Sequence, residues 1–289
     1  MSNSRRTIRA GIFGSGFAAR FHVEALRKVY GVDVEIVGVY SPTVKNCQTF
    51  ADQNNLSAFS DMTSLINASD VIHVCTPPST HEAVGREVLK QDKYVIIEKP
   101  FTGYFGPGDP SFSGDTFDRN EGLIQAKKSV QNLLKAEAES QGQICYAENW
   151  VYAPGIQKER EILEKTGAQI IWMHGEESHS GSHSPFYGIW SHSGGGSIMG
   201  KAVHPLGAVL YLKQIEGMVS QGRPIRPATV SARVHSVTRS EQFKDAGFIK
   251  TGYTDTEDVG SIHVVFEDGM FEDVFYSELV LGGGHNWLE

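Results

Sequence analysis

The stretch YVIIEKP, from Tyr94 to Pro100, runs from four strand-forming residues into a charged pair and a proline. A short apolar run of this kind is typical of a strand buried on both faces, as in a parallel sheet. Proline cannot continue the ladder of hydrogen bonds, so the strand is predicted to end before Glu98 and Lys99. Functional groups of open α/β sheets gather beyond the carboxyl ends of the strands, which makes this pair a candidate site. A solvated Glu-Lys pair at a strand end is the alternative.

A glycine-rich segment lies upstream, between a predicted strand over residues 8–13 and a predicted helix over residues 19–29. It reads GSGFAA and matches the G-x-G-x-x-A dinucleotide fingerprint in its required context. Gly14 permits the tight turn, Gly16 lets a pyrophosphate approach the backbone, and Ala19 lets the helix pack closely on the strand. The residues predicted to bind the nucleotide here are Gly14, Ser15, Gly16, Phe17 and Ala18.

The second predicted strand, over residues 34–40, leads into the segment SPTVK. At this place, roughly 20 residues beyond the fingerprint, an NAD enzyme usually carries an Asp or Glu for the ribose 2′-hydroxyl. This chain carries neither, and Ser41, Thr43 and Lys45 could hold a 2′-phosphate instead. The predicted cofactor is therefore NAD or NADP, with a simply solvated Lys45 as the alternative.

Strands are also predicted over residues 70–75 and 143–147, with helices over residues 81–90 and 121–140. Strands that alternate with helices predict a doubly wound parallel sheet, and hence a nucleotide-binding domain over residues 1–148. Residues 101–120 between them are rich in Gly, Pro, Ser and Asp. They predict a long loop, which is either a lid over the site or a surface insertion.

Three motifs together resemble the Gfo/Idh/MocA family of glucose–fructose oxidoreductase, inositol dehydrogenase and rhizopine-catabolism proteins. They are the fingerprint from Gly14 to Ala19, the segment VCTPPSTH from Val74 to His81, and the Glu98-Lys99-Pro100 tripeptide. The resemblance implies a Rossmann domain followed, over residues 149–289, by an α/β domain with a large, open, mostly antiparallel sheet. It also implies oxidation or reduction of a carbinol of a sugar, cyclitol or sugar acid with NAD(P).

The resemblance also assigns roles to single residues. Lys99 would be the catalytic lysine, with Glu98 near the nicotinamide and Pro100 in cis linkage. His204 falls on the family histidine that contacts the reacting hydroxyl. The residues that would line the cofactor trough are Thr76, Pro77, Pro78 and His81.

The segment around His204 departs from the family pattern D-x-G-x-H. Gly200 stands at the aspartate position, so the carboxylate that usually accompanies the histidine is expected to be lost. Lys201 next to it either brings a cation to the pocket, which would suit an acidic substrate, or faces solvent.

Residues 176–192 are rich in His, Glu, Ser and aromatic side chains. Such a segment fits the polar, aromatic-flanked wall of a carbohydrate pocket. Its spacings match no metal-ligand motif, so no metal is predicted. The predicted substrate-binding residues are Lys99, Tyr152, Glu176, His179, His183, Tyr187, Lys201 and His204.

Composition narrows the possible partners. The net charge of −8, with no basic stripe, argues against nucleic acid. No apolar run is long enough for a membrane span, and three scattered cysteines fit a reducing compartment, which predicts a cytoplasmic protein. The resemblance implies a sugar-like substrate and a homo-oligomer, a dimer or tetramer through the open sheet. Relatives continue past residue 289, so the sequence is expected to be truncated at its C-terminus.

Two alternative functions stay open at this point. Some relatives retain NAD and use transient oxidation to cleave a glycosidic bond. Others are non-catalytic sensors that bind nucleotide and a partner protein, although the presence of Lys99 and His204 argues against that function here.

Overall fold

The computed structural model describes residues 6–182 and 184–289. They form two compact units. The first comprises the described residues up to Tyr104 together with Asp118–Ala147, and the second comprises Phe105–Phe117 and Glu148–Glu289. The segment Phe105–Phe117, which the sequence predicted within the nucleotide domain, thus clusters with the second unit.

The first unit is built on a five-stranded, all-parallel sheet with the strand order β2-β1-β3-β4-β5. Ile12 of β1 packs with the first two helices, whereas Phe13 packs with the helices on the other face, so the sheet is covered on both sides. The predicted doubly wound fold is therefore confirmed. The elements are β1 (Thr7–Phe13), α1 (Phe17–Leu26), β2 (Asp33–Tyr40), α2 (Val44–Asn54), α3 (Met62–Ala68), β3 (Val71–Val74), α4 (His81–Leu89), β4 (Tyr94–Ile97), α5 (Arg119–Ala138) and β5 (Ile144–Tyr146).

The second unit contains a mostly antiparallel sheet with the order β10-β6-β9-β8-β7, in which only β6 and β9 pair in parallel. Leu163 of α6 and Leu212 of α8 pack with Met173, Val264 and Val274 of the sheet in one core. The predicted open sheet is confirmed. The elements are α6 (Pro154–Thr166), β6 (Trp172–Ser180), α7 (Trp190–Ser193), α8 (Val203–Gln221), β7 (Pro227–His235), β8 (Val259–Phe266), β9 (Phe271–Ser277) and β10 (Leu279–Leu288).

Two elements of the second unit differ from the sequence prediction. The sequence of residues 168–176 predicts a strand, but the strand in the structure is displaced to Trp172–Ser180, because Glu177 pairs with Tyr276 on one side and Asn286 on the other. The family resemblance implies a helix around position 200, and in the structure this helix begins with a π-helical turn, Ile198–Ala202, before α8. Neither the strand partners nor the wide turn has a local sequence signal. Among the described residues, no helix is both long and apolar enough to cross a membrane.

Glu272 of β9 is a carboxyl group inside the core of the second unit. It pairs across the sheet with Met173 and Val264, and neither of its oxygens has a hydrogen-bond partner among the described residues. Burial, with a smaller contribution from the charge of Asp273, raises the pKa of Glu272 to about 8.

This raised pKa predicts a pH-dependent stability. The folded protein retains the Glu272 proton up to a pKa of about 8, whereas the unfolded chain releases it near its ordinary value of 4.5. Stability should therefore fall as the pH rises from about 4.5 to 8. We expect Glu272→Gln to match the parent at pH 4 and to exceed its unfolding free energy by about 2 kcal/mol or more at pH 8.5. Urea unfolding at both pH values measures this, and equal curves at pH 8.5 would contradict it.

Candidate functional site

The fingerprint turn joins β1 to α1 at the carboxyl edge of the parallel sheet. Gly14 has a φ of +105° and donates its N–H to the carbonyl of Tyr40 at 2.8 Å. A Cβ atom there would collide with the carbonyl of Cys75, so the position requires glycine. A Cβ atom on Gly16 would instead meet nothing within 4 Å. Open space beside the N-terminus of a helix without an acidic residue in its first turn fits a diphosphate.

The other residues predicted around the fingerprint lie close to this turn. Phe17 and Ala18 begin α1, and the Phe17 ring is exposed with an edge contact to Phe21. Ser15 Oγ donates to Ser41 Oγ at 3.1 Å, which brings the end of β2 to the turn. Lys45 is exposed in the first turn of α2, where no acidic residue occurs.

The segment after β3 forms a short turn. The Thr80 hydroxyl donates to Thr76 Oγ1 at 2.7 Å, and a single 3₁₀ turn begins at Pro78 after the exposed Pro77. His81 is fully buried, with its ring nitrogens 2.9 Å from the carbonyl of Pro100 and 3.0 Å from that of Thr76. Burial lowers the pKa of His81. His81 thus connects the Thr76 turn to Pro100, and its contact with the cofactor stays a prediction.

Glu98 is held by His22, which contacts His73 in turn, and the sequence analysis missed both histidines. His22 of α1 contacts Glu98 Oε1 at 2.9 Å and His73 of β3 at 2.8 Å, and the second Glu98 oxygen accepts the N–H of Lys99 at 2.9 Å. Burial disfavours the charged form of Glu98, but the hydrogen bond and charge of His22 outweigh it, so the pKa of Glu98 lies below its usual value. Burial and the neighbouring His22 lower the pKa of His73 to about 3.

This network fixes a carboxylate directly beside Lys99. The Lys99 side chain is half-buried, and its peptide bond to Pro100 is cis, as the resemblance implied. The sequence does contain one indication of the role of His22. It lies three residues after Ala19 of the fingerprint, on the helix that packs against the sheet.

In the second unit, His204 has two carboxylate neighbours. Its Nδ1 lies 2.7 Å from Glu148 Oε1, and its Nε2 lies 3.8 Å from Glu177 Oε2. All three side chains are buried, and the indole of Trp150 stacks on the imidazole with 6.0 Å between ring centroids. The expected loss of a carboxylate partner for His204 is therefore wrong. Glu148, 56 residues away in sequence, supplies a carboxylate instead.

Gly200 lies against an aromatic ring. A Cβ atom at this position would come within 3.3 Å of the Tyr187 ring and 3.7 Å of Glu278 Oε1. Lys201 is buried, with its Nζ 3.8 Å from Glu278 Oε1. The solvent-facing alternative for Lys201 is thus excluded, and a carboxylate accompanies the cation.

The remaining predicted substrate residues do not form one cluster. His179 Nε2 lies 3.4 Å from Glu177 Oε1, so it adjoins the His204 group. Glu176 points to the opposite face of β6, where it accepts a hydrogen bond from the Trp287 indole at 3.1 Å. Tyr152 is 73% exposed. His183 lies outside the described residues. No three His, Cys, Asp or Glu side chains of the described chain are arranged to hold a metal ion.

The glycine run before the π-helical turn surrounds a second carboxylate that was not predicted. Glu257 accepts hydrogen bonds from the N–H groups of Gly196 and Ile198 at 3.0 and 2.9 Å. A Cβ atom on Gly196 would collide with the Glu257 carbonyl. These glycines therefore serve the structure of the turn.

Residues 8–106 match the GFO_IDH_MocA family, described as an oxidoreductase family with an NAD-binding Rossmann fold. Over these residues, 99 of the 289, the chain is similar to that family.

Two curated proteins are similar to part of the chain. UDP-N-acetylglucosamine 3-dehydrogenase of Acidithiobacillus ferrooxidans is 30% identical over 95 residues, which are 33% of this chain and 29% of that protein. Glucose-6-phosphate 3-dehydrogenase of Bacillus subtilis is 33% identical over 131 residues, 44% of this chain and 36% of that protein. The chain therefore spans only about a third of the length of each.

Solved structures resemble the whole chain in fold. GenD2 from gentamicin A biosynthesis, in complex with NAD, superposes with a TM-score of 0.71 at 19% identity, covering 99% of this chain and 70% of that one. The aldose-aldose oxidoreductase of Caulobacter crescentus gives 0.70 at 15% identity, covering 96% and 72%. At these identities the likeness shows the two-part fold alone.

Proposed function

We propose that this protein is an NAD(P)-dependent oxidoreductase that transfers a hydride between the nicotinamide and a carbinol carbon of a sugar, cyclitol or sugar acid. The observation that carries the proposal is the edge of the parallel sheet, where open space at Gly16 lies on the same side as the Glu98–Lys99 pair. The names of both curated relatives, which are sugar 3-dehydrogenases, support the substrate class.

Different residues of the first unit would bind different parts of the cofactor. The backbone from Gly14 to Ala18 would hold the pyrophosphate against the N-terminus of α1, and Ser41 with Lys45 would face the adenosine ribose. Thr76, Pro77 and Pro78 would line the trough towards the nicotinamide, and Glu98 would lie at its far end. His81 would act indirectly, because it holds the Thr76 turn against Pro100.

Lys99 and His204 would move the proton of the reaction. When bound, the oxidised nicotinamide would supply the acceptor for the hydride, with its two electrons, of the carbinol C–H bond. The hydroxyl proton passes to the uncharged amine of Lys99 or to an uncharged ring nitrogen of His204 as the carbonyl forms. Reduction of the carbonyl reverses both transfers. Residues 149–289 would thus form the substrate domain, with His179 and Tyr187 in its wall.

The first experiment is to denature the purified protein and to identify any released nucleotide by chromatography and mass. Either retained NAD(H) or NADP(H), or uptake of one of them by an empty protein, is expected. A panel of sugars and cyclitols is then screened for a change in reduced-nicotinamide absorbance. Uptake of neither nucleotide would overturn the proposal, as would sugar release from glycosides with no change in absorbance.

The open face of the second sheet predicts self-association. Trp172, Phe271, Phe275 and Trp287 are each at least 39% exposed there. We propose a homodimer or tetramer through this face, because large apolar patches on proteins usually mark interfaces. Phe275→Asp is expected to reduce the mass found by light scattering to that of a monomer. Leu123→Asp, at an exposed apolar residue of α5, is the matched control and should not change the mass. An unchanged mass for Phe275→Asp would contradict the interface.

A further inference from the structure

The contact between Glu148 and His204 defines which ring nitrogen carries the proton. Glu148 Oε1 lies 2.7 Å from Nδ1 of His204 and also accepts the N–H of Trp150 at 3.1 Å. A carboxylate oxygen can only accept, so Nδ1 must donate. In the form of the imidazole that has a single N–H group, Nε2 is then a bare acceptor.

Glu148 is closely held in this position. Its backbone precedes the short 3₁₀ turn Asn149–Tyr152, and the Trp150 ring that follows stacks on His204 at an interplanar angle of 15°. Gly207 of α8 leaves room for the carboxylate, since a Cβ atom there would come within 2.8 Å of Glu148 Cγ. Backbone, ring and helix thus fix the carboxylate and the imidazole together.

Glu177 lies at the other end of the imidazole. Gly175, two residues earlier on β6, faces Pro205 of α8, so Glu177 projects from the same face of the sheet towards this helix. Its Oε2 atom is buried and has no hydrogen-bond partner among the described residues, and it lies 3.8 Å from His204 Nε2. Two acceptors that face each other require a donor between or beside them.

We propose that Glu148 is the positioning residue of His204, holding Nε2 bare towards the substrate, and that Nε2 and Glu177 form an acceptor pair for a substrate with a hydroxyl or ammonium group beside the reacting carbinol. The substrate class is then a neutral or amino sugar, rather than one with a carboxylate at that place. This inference rests on the proposed function for the role of His204 in catalysis. The geometry of the imidazole does not depend on it.

Gly200 shows why the carboxylate comes from Glu148. An aspartate at position 200 would press on the Tyr187 ring and would add a second negative charge beside Glu278. The carboxylate of Glu148 lies against Gly207 and avoids both problems.

The test of Glu148 is the tautomer of His204, observed by NMR in histidine-labelled protein and assigned with His204→Gln. The parent is expected to show the Nδ1–H form at neutral pH. Glu148→Gln can present its amide N–H to Nδ1 and is expected to move His204 towards the Nε2–H form. It should lower kcat by about 10²- to 10⁴-fold with KM within about threefold, and Glu148→Asp should recover part of kcat. Glu272 is another buried carboxyl group of the same unit, and Glu272→Gln should change neither the His204 tautomer nor kcat.

A parent protein with the Nε2–H form would overturn the role of Glu148 even if no variant folds. An unchanged tautomer and kcat in folded Glu148→Gln would overturn it as well. If the parent protein shows the Nδ1–H form of His204 but turns over no sugar, the proposed function is contradicted. The positioning role of Glu148 is then still supported.

The test of Glu177 compares a neutral hexose, the matching 2-amino hexose and the matching uronic acid as substrates. The parent should favour the neutral and amino hexoses over the uronic acid by at least about tenfold in kcat/KM. Glu177→Gln should reduce this preference, mainly by changing KM. A parent that favours the uronic acid would overturn the acceptor pair.

Discussion

Lys99→Met is expected to lower turnover by about a thousandfold or more, while nucleotide affinity stays within about threefold. Methionine retains the length and apolar stem of lysine but cannot carry a proton. Glu98 should keep its place, because His22 and the backbone N–H of residue 99 both hold it. The reaction would then lose its proton carrier and retain its binding site.

Fluorescence titration with the nucleotide and steady-state kinetics on the best sugar of the panel separate these two effects. Lys90→Met, at the exposed C-terminal end of α4, is the matched control and should behave like the parent. Undiminished turnover in Lys99→Met would remove Lys99 from the mechanism. Loss of nucleotide binding together with turnover would restrict its role to the cofactor.

Gly16→Val is expected to weaken nucleotide binding by about a hundredfold or more with little change in the unfolding free energy. A side chain at residue 16 meets no protein atom within 4 Å, and the backbone φ of −96° suits any residue. The added isopropyl group would therefore occupy only the space proposed for the pyrophosphate. Such a loss of affinity without loss of stability is the mark of a binding position.

Gly14→Ala, at the other glycine of the fingerprint, is expected to reduce the stability of the protein, in contrast to Gly16→Val. Its φ of +105° and the Cys75 carbonyl leave no place for a Cβ atom, so the variant should lose about 3 kcal/mol of stability or more. Calorimetry of the nucleotide titration and urea unfolding should be run on both variants. Normal nucleotide affinity in Gly16→Val would contradict the assignment of the fingerprint turn.

The nucleotide half of the fold was predictable because its signals are local. The β1 strand, the two fingerprint glycines and the α1 helix follow one another without a break, and each has a sequence pattern of its own. The run from Tyr94 to Ile97 is likewise a complete strand in the structure. Glu98 and Lys99 then follow at its carboxyl end because a parallel strand that stops must leave its next residues at that edge.

The surroundings of these residues were not predictable in the same way. His22 reaches Glu98 across 76 positions, and the buried His81 meets Pro100 across 19. Periodicity and propensity act over a few residues only, and they contain no information on which distant polar groups meet. The burial of Lys201 beside Glu278 could not be predicted from the sequence for the same reason.

By itself, the sequence determined the family resemblance, the order of the elements and the position of Lys99, since all of these depend on neighbouring residues. The tertiary structure alone decided that Glu148 and Glu177 flank His204 and that Glu176 lies on the opposite face of the sheet. The physical reason is that a one-residue change along a strand reverses the direction of a side chain. The pairing of β6 with β9 and β10 thus sets which carboxylate meets the imidazole.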